Sequence, residues 1–149
     1  MKKIKIPYYR QENGYFCGPA TLKMALEFFG KKISQKKLAK IAGTNKKRGT
    51  LRKDMVKTAR RFGFKAKAFY WGDFKAIKSF LAEKKMVIVI FVEPSEGENH
   101  YAVVAGVDPK MIVLNDSLNG RNFRMSRKEF VARWNKWKRW FMVLDKEDQ

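Results

Sequence analysis

The spacing of apolar residues changes character part-way along the chain, and that change constrains the fold more than any other feature of the sequence. Leu22, Ala25, Leu26 and Phe29 recur at i, i+3, i+4 and i+7, which predicts a helix from about Gly18 to Phe29 with Pro19 near its first turn and Gly30 ending it. Ser34 is placed to cap a short helix that turns Leu38, Ile41 and Ala42 inward until Gly43. Thr50 is placed to cap a third, with Leu51, Met55, Ala59 and Phe62 inward until Gly63. Beyond that point the period is that of strands. Phe64, Ala66, Ala68 and Tyr70 alternate with Lys65 and Lys67, as on a strand with one solvated face. Asp73 caps a predicted helix using Phe74, Ile77 and Leu81, and Met86 to Val92 is a β-branched run suited to a strand buried on both faces. Tyr101 to Val107 and Met111 to Leu114 read as a hairpin around Asp108-Pro109-Lys110. Ser126-Arg-Lys-Glu129 is a capping-box pattern opening a helix through Trp134, with Trp140 to Leu144 as a last strand. Helices first and strands mostly later predict an α+β class rather than a doubly wound sheet.

Composition sets the means of stabilisation. The 149 residues are 45% hydrophobic, enough for a core, and the absence of linkers or repeats predicts one domain over residues 1–149. One cysteine cannot form an internal disulfide, and one cysteine with one histidine cannot build a Cys/His zinc site, so packing must hold the fold. Charges near the N-terminus are followed by no apolar run, and Met86 to Val92 is far short of the ~20 residues of a membrane helix. A cytoplasmic protein without a transmembrane segment is expected. The formal net charge is +20, and the excess sits mainly in the first third: residues 1–50 carry 13 basic and 2 acidic groups. Two readings follow: a lysine-rich solvated surface, or a basic face that contacts polyanions, nucleic acid or a membrane surface.

The two rarest residues carry the chemistry. Cys17 falls at the predicted helix N-terminus, where unpaired N–H groups and the helix dipole favour thiolate, the attacking species; a lone cysteine is otherwise a small buried hydrophobe. His100 is the only imidazole available to exchange a proton with such a thiol, and it opens a hydrophobic strand after the polar loop Glu93 to Asn99. Asp116 ends the neighbouring strand, where it is placed either to fix the imidazole tautomer or to form the turn before Ser117-Leu-Asn-Gly120. Asn115 and Asp108 compete, but Asn115 points to the opposite face by strand alternation and Asp108 lies at the far end of the hairpin. Gln11, with five residues between it and Cys17, is a candidate donor to an oxyanion, or an exposed loop glutamine.

These residues sit in longer patterns. Pro7-Tyr-Tyr-Arg-Gln11 leading to Cys17-Gly18-Pro19-Ala20, His100-Tyr-Ala-Val-Val104, Asn115-Asp116 with Gly120, and Ser126-Arg-Lys-Glu-Phe130 with Trp134 together resemble the C39 family of papain-like cysteine peptidases. The resemblance implies N-terminal helices packed on a C-terminal antiparallel sheet, no metal or organic cofactor, and hydrolysis of a peptide or protein substrate by a stand-alone domain. It further implies Cys17 as nucleophile, His100 as general base and acid, Asp116 as orienter and Gln11 as oxyanion donor. Phe16, where many members carry an acidic residue, and Ser117, where proline is usual, depart from the pattern. The best-known members cleave leader peptides after a double glycine in bacteriocin export, so leader processing is one expected activity. Acyl transfer by the same residues is another. The alternative outside catalysis is a C39-like binding module that docks an acidic or nucleic-acid partner.

Two segments call for separate expectations. Arg133 to Trp140 interleaves basic groups with indoles, which suits base stacking or a lipid interface, yet the predicted helix and strand would bury Trp134 and Trp140. Glu93, Glu96 and Glu98 beside His100 suggest a cationic substrate.

Overall fold

The structure, a computed structural model, describes residues 3–147. The first apolar stripe folds as α1 (Cys17–Phe28). Helix α2 (Gln35–Ala42) is capped by Ser34, whose side chain accepts from the Lys37 N–H, and ends on Gly43 in the left-handed region. Helix α3 (Arg52–Arg61) follows, but its N-cap residue is Leu51 and not Thr50. The Thr50 hydroxyl is taken by the Thr44 hydroxyl at 2.6 Å and its carbonyl by Tyr101, so the predicted cap is spent on tertiary bonds.

Strand β1 (Phe64–Phe69) and helix α4 (Phe74–Ala82) come next, the helix capped by Asp73 as its sequence predicts. Strands β2 (Met86–Val92), β3 (Asn99–Val107) and β4 (Met111–Asp116) form the sheet centre. Strand β5 (Gly120–Ser126) lies in a stretch to which the sequence patterns assign no element. Its sequence Gly-Arg-Asn-Phe-Arg-Met-Ser is mostly polar because it is an edge strand with β4 as its one neighbour, and burial does not impose a pattern there. Helix α5 (Arg127–Trp134), a short 3-10 turn at 135–137, and strand β6 (Phe141–Lys146) complete the chain.

All strand pairs are antiparallel, in the order β1-β6-β2-β3-β4-β5. Side-chain alternation divides the core. Ile88, Ile90, Tyr101, Val103, Met142 and Leu144 face one layer with Leu22, Leu26, Leu38 and Met55 from α1–α3. Val87, Val89, Phe91, Ala102, Val104, Phe141 and Val143 face the other with Ile77 of α4 and Phe130 and Trp134 of α5. The sheet is therefore covered on both sides, which explains why β2 reads as an unbroken apolar run. Trp134 and Trp140 are buried, in agreement with the packing reading of the Trp-rich segment. Near Asp116 the β4–β5 register shifts, so the strand ends irregularly.

Candidate active site

Helix α1 packs across β3, which brings its N-terminal residue, Cys17, to the start of that strand. The approach of α1 to the segment leading into α3 is tight. A Cβ on Gly18 would lie 2.5 Å from Thr50 Oγ1 and 2.8 Å from its Cβ, so the residue after the cysteine must be glycine for the helix to seat here. Cys17 itself is partly exposed and carries a free thiol. His100, the second residue of β3, is 4% exposed and presents its ring edge-on to Phe91 of β2, its cross-strand partner.

The histidine Nε2 lies 2.6 Å from Asp116 Oδ1 at the end of β4. With Nε2 so engaged, the interaction with the Cys17 side chain falls to Nδ1. Burial alone would favour the neutral ring, but the hydrogen bonds to Asp116 and Cys17 and their negative charges outweigh it and raise the His100 pKa to about 10. Burial likewise works against the Asp116 charge, and the His100 bond with the donors of Asn119 overcomes it, holding the carboxyl below its usual range. The site thus favours an imidazolium bonded to the Asp116 carboxylate.

Asp116 is fully enclosed. Its Oδ1 also accepts from the main-chain N–H groups of Leu118 and Asn119 at 2.9 and 3.0 Å, and its Oδ2 accepts from Asn119 Nδ2 at 3.0 Å. That same amide donates to Glu93 Oε1 at 3.3 Å. Glu93 is 1% exposed. Burial opposes its charge, but the hydroxyl and N–H of Ser95, the Glu96 N–H and Asn119 lower its pKa to about 2. Glu93 therefore turns inward to brace Asn119 and does not face a cationic substrate; Glu96 and Glu98 of the loop remain exposed. Sequence reasoning missed Glu93 and Asn119 in this role because the link spans 26 positions; an acidic loop and a turn asparagine near the two candidate strand ends were the available signals.

Asn115 points to the other side of β4, donating to the Ile6 carbonyl at 3.2 Å, and Asp108 bonds the N–H groups of its own turn. Neither reaches the imidazole. Gln11 lies on the loop before α1, where its Nε2 donates to the Asn13 carbonyl at 2.8 Å and its Oε1 accepts from Ser117 Oγ at 2.9 Å. The Gln11 main-chain N–H also bonds the Ser117 carbonyl at 3.1 Å. Ser117, the departure noted after Asp116, thus ties the Gln11 loop to the end of β4, and a second Nε2 hydrogen of Gln11 is left over. Phe16, the other departure, is buried against Tyr15 at the foot of α1.

A cavity of about 650 Å³ lies elsewhere, between the N-terminal segment, the end of α1 and β4–β5, with Lys5, Phe28, Asn115 and Arg121 in its walls. Among the described residues no cluster of His, Cys, Asp and Glu could hold a metal ion, and no helix is long and apolar enough to cross a membrane.

Comparison with known proteins gives the same fold. A model of the peptidase C39 family matches residues 5–148. An uncharacterised protein of Methanothermobacter marburgensis is 31% identical over 112 residues, covering 75% of this chain and 72% of the relative. The solved peptidase domain of Streptococcus ComA, a bi-functional ABC transporter, is 24% identical with a TM-score of 0.79, covering 96% of this chain and 98% of that domain. A double glycine motif protease from an AMS/PCAT transporter, solved in complex with the leader peptide, is 20% identical with a TM-score of 0.76, covering 98% of this chain and 95% of that one.

Proposed function

The chain belongs to the peptidase C39 family, and from that premise we propose that it is a cysteine peptidase using Cys17, His100, Asp116 and Gln11. The observation that carries the proposal is the alignment of one thiol, one imidazole and one carboxylate, with His100 Nε2 bonded to Asp116 and Nδ1 left for Cys17. In the reaction His100 takes the Cys17 proton, giving thiolate and imidazolium. The thiolate attacks the scissile carbonyl carbon, and the oxyanion that forms accepts from the free Gln11 Nε2 hydrogen and the Cys17 main-chain N–H at the helix start. His100 then gives its Nδ1 proton to the departing amine, leaving a thioester on Cys17. Water attacks the thioester, losing a proton to Nδ1, and the acid product leaves with the thiolate restored. Asp116 keeps the ring oriented and its charge stabilised throughout.

The substrate in this reading is a peptide. Cleavage after a double glycine in a leader is the form supported by likeness to the AMS/PCAT protease.

The test is the rate of Cys17 alkylation across pH in the wild type and in His100→Ala. Labelling near neutral pH, slowed by loss of the imidazole, is the expected result. Equal rates in both proteins at every pH would overturn the proposal and favour a binding module.

A further inference from the structure

Resting on the peptidase reading, we infer that Arg52 and the aromatic rings around it form a subsite that receives an acidic side chain of the peptide substrate beside the scissile bond. Arg52, the first residue of α3, holds its guanidinium 4.8 Å over the Trp137 ring and donates from Nη1 to the Tyr70 hydroxyl at 3.1 Å. No carboxylate among the described residues pairs with it. A guanidinium stacked on one face and bonded at one N–H is fixed in orientation, with further donors in its plane for a carboxylate.

Two chains of contact link this group to the residues on either side of His100. Trp137 Nε1 donates to Asn99 Oδ1 at 3.0 Å, and Asn99 is the residue before His100. Tyr101, the residue after it, donates its hydroxyl to the Thr50 carbonyl at 2.8 Å, two positions before Arg52. Burial pushes the Tyr101 phenol up, the Cys17 charge adds to this, and Arg52 works against it, so the ring lies in the field of both groups. Arg52 is thus linked through its contacts to both neighbours of His100, and it shares the surroundings of the Tyr101 ring with Cys17.

The surroundings are built for contact. Tyr70 and Trp71 are 53% and 65% exposed, the large hydrophobics most open to solvent among the described residues. Trp71 is held in the left-handed region at φ 56°, which a bulky residue adopts only when its surroundings compel it. Its N–H bonds the Lys138 carbonyl at 2.7 Å and that of Gly72 bonds the Arg139 carbonyl at 3.0 Å. Position 72 must be glycine, since a Cβ would lie 2.6 Å from the Phe141 ring. The turn is therefore locked with its indole facing water, and exposed Lys136 and Lys138 add positive charge on the same segment. An aromatic rim that shields an Arg–carboxylate pair from water strengthens it.

Binding is read separately from cleavage, by tryptophan fluorescence of the Cys17→Ala protein titrated with short peptides. These have a Gly-Gly centre and one Glu, Gln or Lys at each flanking position in turn. At one position the Glu peptide should bind about 10-fold more tightly than the Gln peptide, as one charge-assisted bidentate contact allows. Adding Arg52→Gln should erase that ratio, and Arg52→Glu should invert it in favour of Lys. Equal binding of Glu and Gln peptides at all positions, or a ratio unchanged in Arg52→Gln, overturns the inference. Wild-type cleavage of the same peptides reports on the peptidase proposal alone: Arg52-dependent binding without cleavage would leave the subsite standing and remove the peptidase.

Discussion

In the proposed site two arms serve Cys17, and they are built on opposite plans. The arm of His100, Asp116, Asn119 and Glu93 is drawn from strand ends and the turn after β4, is buried except at the half-buried Asn119, and uses nearly every acceptor it has. The arm of Gln11 and Ser117 is a loop tied to a strand end by neutral bonds, with Gln11 part-exposed and one amide hydrogen unspent. The two plans answer different physical demands. Permanent charge out of water needs saturated acceptors, since an unpaired buried carboxylate is costly. A donor to a charge that exists only during the reaction needs a spare hydrogen and rigid backing.

The comparison is broken most severely at Asp116. Asp116→Asn should lower kcat by on the order of 10⁴-fold, because an amide bonds the ring without stabilising imidazolium; steady-state kinetics on a cleaved peptide measures it. On the neutral arm, Gln11→Ala should cost about 10²–10³-fold in kcat. Ser117→Ala should cost about fivefold, the worth of one neutral hydrogen bond. A double-mutant cycle sharpens the contrast: the Ser117 effect should vanish when Gln11 is already alanine, and additive losses would show that Ser117 acts elsewhere.

The smallest effect on rate, and the clearest on pH, belongs to Glu93→Gln. A carboxyl lowered to about 2 from an ordinary 4.5 contributes stability above 4.5 that is lost as pH falls towards 2. The variant should lack that part of the acid-side slope in denaturant unfolding, with kcat at neutral pH within about twofold of wild type. His100 has the opposite sign. Its charged form, favoured up to about 10 against an ordinary 6.5, contributes fully below 6.5 and is lost as pH rises through 10, so the alkaline slope should be common to both proteins.

The sequence made the local features legible. The caps of α2 and α4 and the uninterrupted run of β2 follow from neighbours within a few positions, and the folded chain has them. Features settled by distant partners were hidden. Thr50 looks like a helix cap until Tyr101, 51 positions away, takes its carbonyl, and β5 is too polar to read as a strand without β4 beside it. Strand parity separated Asp116 from Asn115, but only the fold brings Asn119 and Glu93 behind the carboxylate. The same limit applied to the acidic loop, where Glu93 points inward although its sequence context matches that of Glu96 and Glu98.

The irregular end of β4 has a bearing on how such a chain can diverge. Asn115 and Asp116 occupy opposite faces one residue apart, and the segment after them must return within four positions to Gly120, which pairs with Asp116. Inserting or deleting a single residue in β4 would exchange the two side chains, handing His100 an amide and burying a carboxylate against the Ile6 carbonyl. Descendants of this chain can therefore change length in loops away from β4, while the stretch from Asn115 to Gly120 is free to vary only by substitution.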